Sequence, residues 1–360
     1  MSDLNKQFAL FRDVLLKIMT IVFVFVGYFG CNTTEQSTCS DSSSLYQQAD
    51  FPIGVAINVD EFNNNPVYKS IAEKQFNSFT AENIFKADNL HPAEGFFNWT
   101  EADALADFCV ANNKRIHGHT LIWHSQLLQW IIDFQGSEQD WENLFKEHIQ
   151  TIVKHFKGRV KACDVVNEAF NEDGTLRNSI WRQKLGNQYI EKAFRYAHEA
   201  DPEAILFYSD YNLESNPSKR KSALNYLNNL RRRGVKVDGI GLQMHVGISF
   251  PEPAQLAESF KCVTDNHYKL HLSELDISVN LLGKDIEADI SLFQKQADYL
   301  GKIVLNYKQI PTKYQYGITF WGVSDRDSWI PSYFNRKDYP LLYDENYKPK
   351  PAYCKLLETL

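Results

Sequence analysis

Two carboxyl groups at the ends of apolar runs carry most of the chemistry this sequence can offer. Lys161-Ala162-Cys163-Asp164-Val165-Val166-Asn167-Glu168 reads as a short buried strand that stops at an amide beside a carboxyl. His271-Leu272-Ser273-Glu274-Leu275-Asp276 reads as a second strand, with Glu274 and Asp276 on one face by the period of two. A carboxyl held partly out of water can protonate a leaving oxygen, and a second one can attack the carbon that oxygen leaves. Asn167, next to the first, could hold a sugar hydroxyl. Cleavage of a glycosidic bond is the reaction such a pair suits, provided the fold brings the two strand ends together.

The elements that would do so are visible as apolar strand-like runs alternating with longer segments of helical period. The predicted strands are Ile53–Asn58, Asn77–Glu82, Arg115–Trp123, Val160–Asn167, Ile205–Asp210, Gly239–His245, Leu270–Asp276 and Gly317–Trp321. Predicted helices lie between them, the clearest at Glu101–Asn112, Trp141–Phe156 and Asn187–Ala200. The alternation favours an α/β architecture, a single (β/α)8 TIM barrel over residues 46–360. An open sheet would more often carry a glycine-rich phosphate loop after its first strand, and Ile53–Asp60 has none. In a closed barrel, groups at the carboxyl ends of the strands form the site. Those ends hold Glu82-Asn83 with Lys86, His119, Trp123 to Gln126, Asn167-Glu168, Asp210-Tyr211, Gln243 to His245, Glu274 to Asp276, and Trp321 with Trp329 beyond.

Taken in order, Thr80-Ala81-Glu82-Asn83 with Lys86, His119-Thr120-Leu121-Ile122-Trp123-His124-Ser125-Gln126, Asp164-Val165-Val166-Asn167-Glu168, Gln243-Met244-His245 and Ser273-Glu274-Leu275-Asp276 resemble the family 10 glycoside hydrolases, chiefly endo-β-1,4-xylanases. The resemblance runs from about Phe51 to Lys350-Pro351-Ala352-Tyr353. It implies endo-acting, retaining double displacement on xylan or xylo-oligosaccharides, with no cofactor and no metal. Glu168 is then the acid/base and Glu274 the nucleophile, about 5–5.5 Å apart. Asn167 holds the 2-hydroxyl, His245 donates to Glu274, Asp276 orients that imidazole, and Glu168 is expected to carry a raised pKa. The resemblance further assigns Glu82, Asn83 and Lys86 to the glycone side, and His119, Trp123 and Gln126 to the subsite beside the bond. It places Gln243 near the nucleophile, Trp321 and Trp329 as an aromatic roof, and Tyr211 under an aglycone sugar. Two positions depart from the family pattern: Cys163 stands where a Trp is usual, and Ser209 where an Asn is usual.

Composition sets the outer bounds. The chain has 360 residues, a net charge of -7 and a hydrophobic share of 44%, enough for one large core and the wrong sign for a nucleic-acid partner. The run Arg231-Arg232-Arg233 sits where a helix should end, and cations there suit its dipole. None of the six cysteines has zinc spacing, and disulfides cannot be paired from the sequence. Lys6, Arg12 and Lys17 precede an uncharged apolar run, Ile18 to Phe29, that reads as an export signal over residues 1–30. Gly30-Cys31 resembles a bacterial lipoprotein site, with Cys31 as the lipidated residue, and a polar linker follows over 31–45. The reading is thus an exported monomer of the cell envelope that touches the membrane only through its N-terminus, with an uncleaved N-terminal anchor or simple secretion as the alternatives.

Other functions remain open. A β-1,4-glucanase or mixed-specificity glycanase would use the same two carboxyls. His117-Gly118-His119 is an HxH on a barrel strand, which a metal-dependent hydrolase could use. A surface glycan-binding protein could have the same cleft without turnover.

Overall fold

Short apolar runs, flanked on both sides by helical segments, bury two faces inside a parallel sheet, open or closed. The computed structural model describes Cys39 and residues 43–283, 286–287 and 289–360. The expected signal segment 1–30, Cys31 and most of the expected linker lie outside the described residues. The strands are β1 (Ile53–Ile57), β2 (Ser78–Ala81), β3 (Arg115–Gly118), β4 (Ala162–Asn167), β5 (Ile205–Asp210), β6 (Gly239–Leu242), β7 (His245–Gly247), β8 (Lys269–Ser278) and β9 (Gln315–Phe320). All pairings are parallel; β1 pairs with β2 and β9, and β6 pairs with β5 and β8, so the sheet closes. β7 also pairs with β8, His245 opposite Asp276, and so continues β6 after a break at Gln243 and Met244. The nine labelled strands therefore make eight staves of a (β/α)8 barrel, and the open-sheet alternative is excluded.

Two predicted strands differ by more than two residues at an end. The third stops at Gly118 instead of Trp123. Beyond it Thr120 Oγ1 and Leu121 N both turn to the Asp164 carbonyl at 3.0 Å, and only Ile122 makes a further bridge, to Val166. The sixth is split, because Met244 adopts a left-handed φ of 65°. Both departures occur where the chain leaves the regular ladder to aim side chains into the barrel mouth.

Outer helices pack on the staves through i, i+3, i+4 stripes. Helix Glu138–His155 is representative. Ser137 and Asp140 form a capping box at its start, Lys154 and His155 face the negative end of its dipole, and Trp141, Phe145, His148, Ile149 and Ile152 form its buried face. The barrel floor is filled by aromatic rings. Phe207 and Tyr316 lie 4.5 Å apart, with His271 5.0 Å and His117 5.5 Å from Tyr316. Gly239 is required beside them, since a Cβ there would sit 2.1 Å from Phe207.

The body begins within the segment read as linker. Leu45 is fully buried and its amide donates to Gln75, while Tyr353 donates to the Ser43 carbonyl. A disulfide joins Cys39 to Cys354 in the last helix, Pro351–Thr359. Because it closes nearly the whole chain into a loop, removing it with a Cys39→Ser/Cys354→Ser variant should cost about 2–4 kcal/mol of stability. The expected outcome is a melting temperature lowered by several degrees, with kcat unchanged because the bond lies away from the barrel mouth; an unaltered melting curve would refute the staple.

Candidate active site

The mouth of the barrel opens into a cleft of about 580 Å³. All fifteen side chains that the sequence assigns to chemistry or sugar binding line it, from Glu82 on the second stave to Trp329 beyond the eighth. The sixteenth assigned residue, Cys31, lies outside the described residues.

Glu274 stands on β8 and is buried, as is Asp276. His245 bridges them: its Nδ1 is 2.8 Å from Asp276 Oδ2 and its Nε2 is 3.3 Å from Glu274 Oε2. Trp329 Nε1 donates to the same Asp276 oxygen at 2.9 Å. Burial opposes charge on His245, but the two carboxylates outweigh it and hold the imidazole well above its ordinary value. With Nδ1–H directed to Asp276, the ring presents Nε2–H to Glu274. Asp276 itself is pushed up by burial, against the pull of His245 and Trp329.

Glu168 is placed by the turn at the end of β4, where its own φ is 56°. Its amide donates to Ser209 O on β5. Gln243 Nε2 reaches both Glu168 Oε1 and Asn167 Oδ1 at 3.1 Å, and the Gln243 carbonyl accepts from the Glu274 amide at 3.0 Å. One residue on the sixth stave thus touches both carboxyl-bearing strands. His124 Nδ1 lies 3.9 Å from Glu168 Oε2.

At one end of the cleft Lys86 Nζ donates to Gln126 at 2.9 Å and to Asn83 at 3.1 Å, with the Trp123 ring 5.1 Å away. Burial lowers the Lys86 pKa, against the attraction of Glu274, Glu82, Asp88 and Glu168. Glu82 is raised by burial, with Lys86 opposing. His119 packs edge-on to Trp321 at 5.3 Å and is held by Asp164 through Nδ1 at 2.9 Å. His117 Nε2 is 3.2 Å from the other oxygen of Asp164, so the HxH pair converges on a buried carboxylate, held far below the usual range by the two imidazoles despite its burial. At the other end Tyr211 lies over Lys219, whose Nζ is 3.6 Å from the ring centroid.

A family model described as Glycosyl hydrolase family 10 matches residues 42–359. The chain belongs to that family. It is 38% identical over 297 residues to endo-1,4-beta-xylanase B of Thermotoga neapolitana, covering 81% of this chain and 83% of that one. Native xylanase 10B from Thermotoga maritima superposes with a TM-score of 0.82 at 36% identity, covering 88% of this chain and 96% of that one. Xylanase 10B from Thermotoga petrophila RKU-1, solved in complex with xylobiose, gives 0.83 at 36% identity, covering 89% and 98%.

Within this family 10 cleft, two features were not foreseen. The first is the Glu168 environment. Burial raises its pKa as expected, but His124, Gln243, Trp123 and Lys219 together outweigh it, and Glu168 sits below the ordinary glutamate value. The expected raised pKa is corrected on that ground. His124 is in turn lowered to about 4, chiefly by burial. The second is the set of lining residues that the motifs did not single out, including Arg177, Phe250, Tyr333 and Arg336. His124 was legible, since it stands inside the Trp-His-Ser-Gln motif; Arg177 carried no local signal.

Behind the loop that carries Lys86, His91 Nδ1 meets His148 Nδ1 at 3.1 Å, and His148 Nε2 meets Leu121 O at 3.0 Å. Since the carbonyl can only accept, His148 carries its proton on Nε2, and His91 must donate through Nδ1. The pair ties the segment after Lys86 to the segment before Trp123. Burial lowers His91 to about 3 and His148 to about 4, from 6.5. Both are neutral in the fold, so their stabilising effect is full above pH 6.5 and is lost as pH falls towards 4. The melting temperature should drop across that window, and a His91→Asn/His148→Gln variant, which cannot take up these protons, should drop less; equal slopes would disprove the assignment.

Proposed function

We propose that this protein is an exported, endo-acting retaining hydrolase of β-1,4-xylosidic bonds in xylan, with Glu168 as acid/base and Glu274 as nucleophile. The observation that carries the reading is the unequal environment of the two carboxyls across one cleft. Glu274 receives an imidazole N–H fixed by Asp276, which suits a nucleophile in place before substrate arrives. Glu168 is met by Gln243 and stands beside His124, at the rim where a leaving oxygen would pass.

In the first step Glu168, whose lowered pKa means that it must take up a proton from solvent as substrate covers it, gives that proton to the leaving oxygen while Glu274 attacks the anomeric carbon and the bond to that oxygen breaks. In the second, Glu168 takes a proton from water, the water oxygen attacks the same carbon, and the glycosyl ester to Glu274 breaks. Asn167 is the partner of the 2-hydroxyl. Glu82, Asn83 and Lys86 hold glycone hydroxyls, His119, Trp123, Gln126 and Gln243 surround the scissile unit, Trp321 and Trp329 cover it, and Tyr211 carries an aglycone sugar. Xylose has no C5 hydroxymethyl, and a subsite crowded by Lys86, Trp321 and Trp329 favours it over glucose. The xylobiose complex of the Thermotoga petrophila relative supports the same choice. Export is supported by the Cys39–Cys354 disulfide, a bond that persists in oxidising compartments. Lipidation at Cys31, after a signal over 1–30, would hold the enzyme at the cell envelope. A site built wholly from one chain suits a monomer.

Initial rates on xylan, cellulose and mixed-linkage glucan at equal enzyme test the substrate. Xylan should be fastest, and a faster glucan would overturn the xylanase reading. The roles separate by mutation. Glu274→Ala should lose nearly all turnover, which a mere glycan-binding protein would not register. Glu168→Ala should still form the glycosyl-enzyme from substrates with good leaving groups but release it slowly, and azide should speed that release.

A further inference from the structure

We propose that Arg177 is a positioning residue that fastens the aglycone platform, Tyr211, to the backbone of Glu168. The leaving sugar and the group that protonates it are thereby held in one frame. The inference rests on the acid/base role proposed above for Glu168.

One guanidinium makes both connections. Arg177 Nε donates to the Glu168 carbonyl at 3.0 Å, and Nη2 donates to the Tyr211 hydroxyl at 2.8 Å. The Arg177 amide donates to Ala169 O at 2.7 Å, closing the short loop between the two residues. The carbonyl it holds belongs to a non-glycine residue at φ 56°, a conformation that persists only when its surroundings impose it.

The far side of Tyr211 is fixed independently. Lys219, with a fully buried side chain, lies under the ring and pairs with Asp210 Oδ1 at 2.8 Å and Glu172 Oε1 at 3.1 Å. Asp210 Oδ2 accepts from the Phe170 amide at 3.4 Å and from Tyr208, whose hydroxyl accepts from the Ala169 amide at 3.1 Å. Residues 168, 169 and 170 are therefore each tied to the cluster that holds Tyr211. Arg177 is the one of these ties that lines the cleft and reaches Glu168 itself. A planar fork can serve two acceptors at once, which a point charge does less well.

The test compares two substrates. Xylotetraose needs a proton for its leaving sugar and a platform for that sugar. A 2,4-dinitrophenyl β-xylobioside needs neither, because its phenolate departs unprotonated. Arg177→Met should lower kcat/KM for xylotetraose roughly ten- to a hundred-fold, and for the dinitrophenyl glycoside less than about two-fold. A general structural loss would lower both alike, and that result, or no loss on xylotetraose, overturns the proposal. Should Arg177→Met fail to fold, Arg177→Lys serves: it keeps the charge without the fork and should still cost xylotetraose about five-fold or more, against a two-fold ceiling on the dinitrophenyl glycoside. Wild-type rates with Arg177→Lys would equally overturn it. Wild-type protein inactive on both substrates would instead sink the glycosidase reading, leaving the two failures distinct.

Discussion

A single buried oxygen, Oδ2 of Asp276, holds together the last three staves at the mouth of the barrel. It takes the His245 N–H from the sixth stave and the Trp329 indole N–H from the segment after the eighth, while its own strand carries Glu274 two residues earlier. Burying a carboxylate is costly unless it is paired and hydrogen-bonded, and both conditions are met here by groups that themselves face the cleft. The imidazole becomes a fixed cationic donor, Trp329 is held against it with ring centroids 4.9 Å apart, and Glu274 receives its partner from a fixed direction. Removing the oxygen would release a donor, a wall of the cleft and the register of two strand ends at once.

The same logic recurs on the opposite side. Asp164, buried on β4, takes His119 and His117, and Asp210, at the end of β5, takes Lys219, Tyr208 and the Phe170 amide. In each case a carboxylate inside the sheet fixes a group on its rim. Four of the non-glycine residues with left-handed φ, Gln126, Glu168, Asn212 and Met244, lie at the ends of staves or the loops that follow them. There the ladder gives way so that a side chain can turn into the cleft, at a backbone cost that the carboxylate anchors offset.

Much of this was legible in the sequence, and the reason is periodic. Apolar runs of strand length alternating with helical stripes define the barrel, and polar groups at the ends of those runs must then share one face. Periodicity put these groups at strand ends, the resemblance to family 10 glycoside hydrolases implied their roles, and the fifteen side chains, spread over more than 240 positions, line a single cleft. What escaped was geometry without a local signature. The third strand reads as continuous through Trp123, yet the hydrogen bonds of Thr120 and Leu121 to the Asp164 carbonyl end the ladder early. Arg177 has no motif around it, and its role depends on two acceptors 9 and 34 residues away. The Glu168 environment was misjudged because the convergence of His124, Gln243, Trp123 and Lys219 on one carboxyl is set by the fold and not by the spacing of any of them. Cys354 sits in an ordinary helical stripe, so nothing marked it as the partner of Cys39.

That last bond alters what the molecule is in covalent terms. From Cys39 to Cys354 the backbone is closed into one covalent ring. A peptidase that cuts one exposed loop opens the ring but frees no fragment, and the halves stay joined while the packed staves hold the cleft. A first cut is then an injury that the chain can survive.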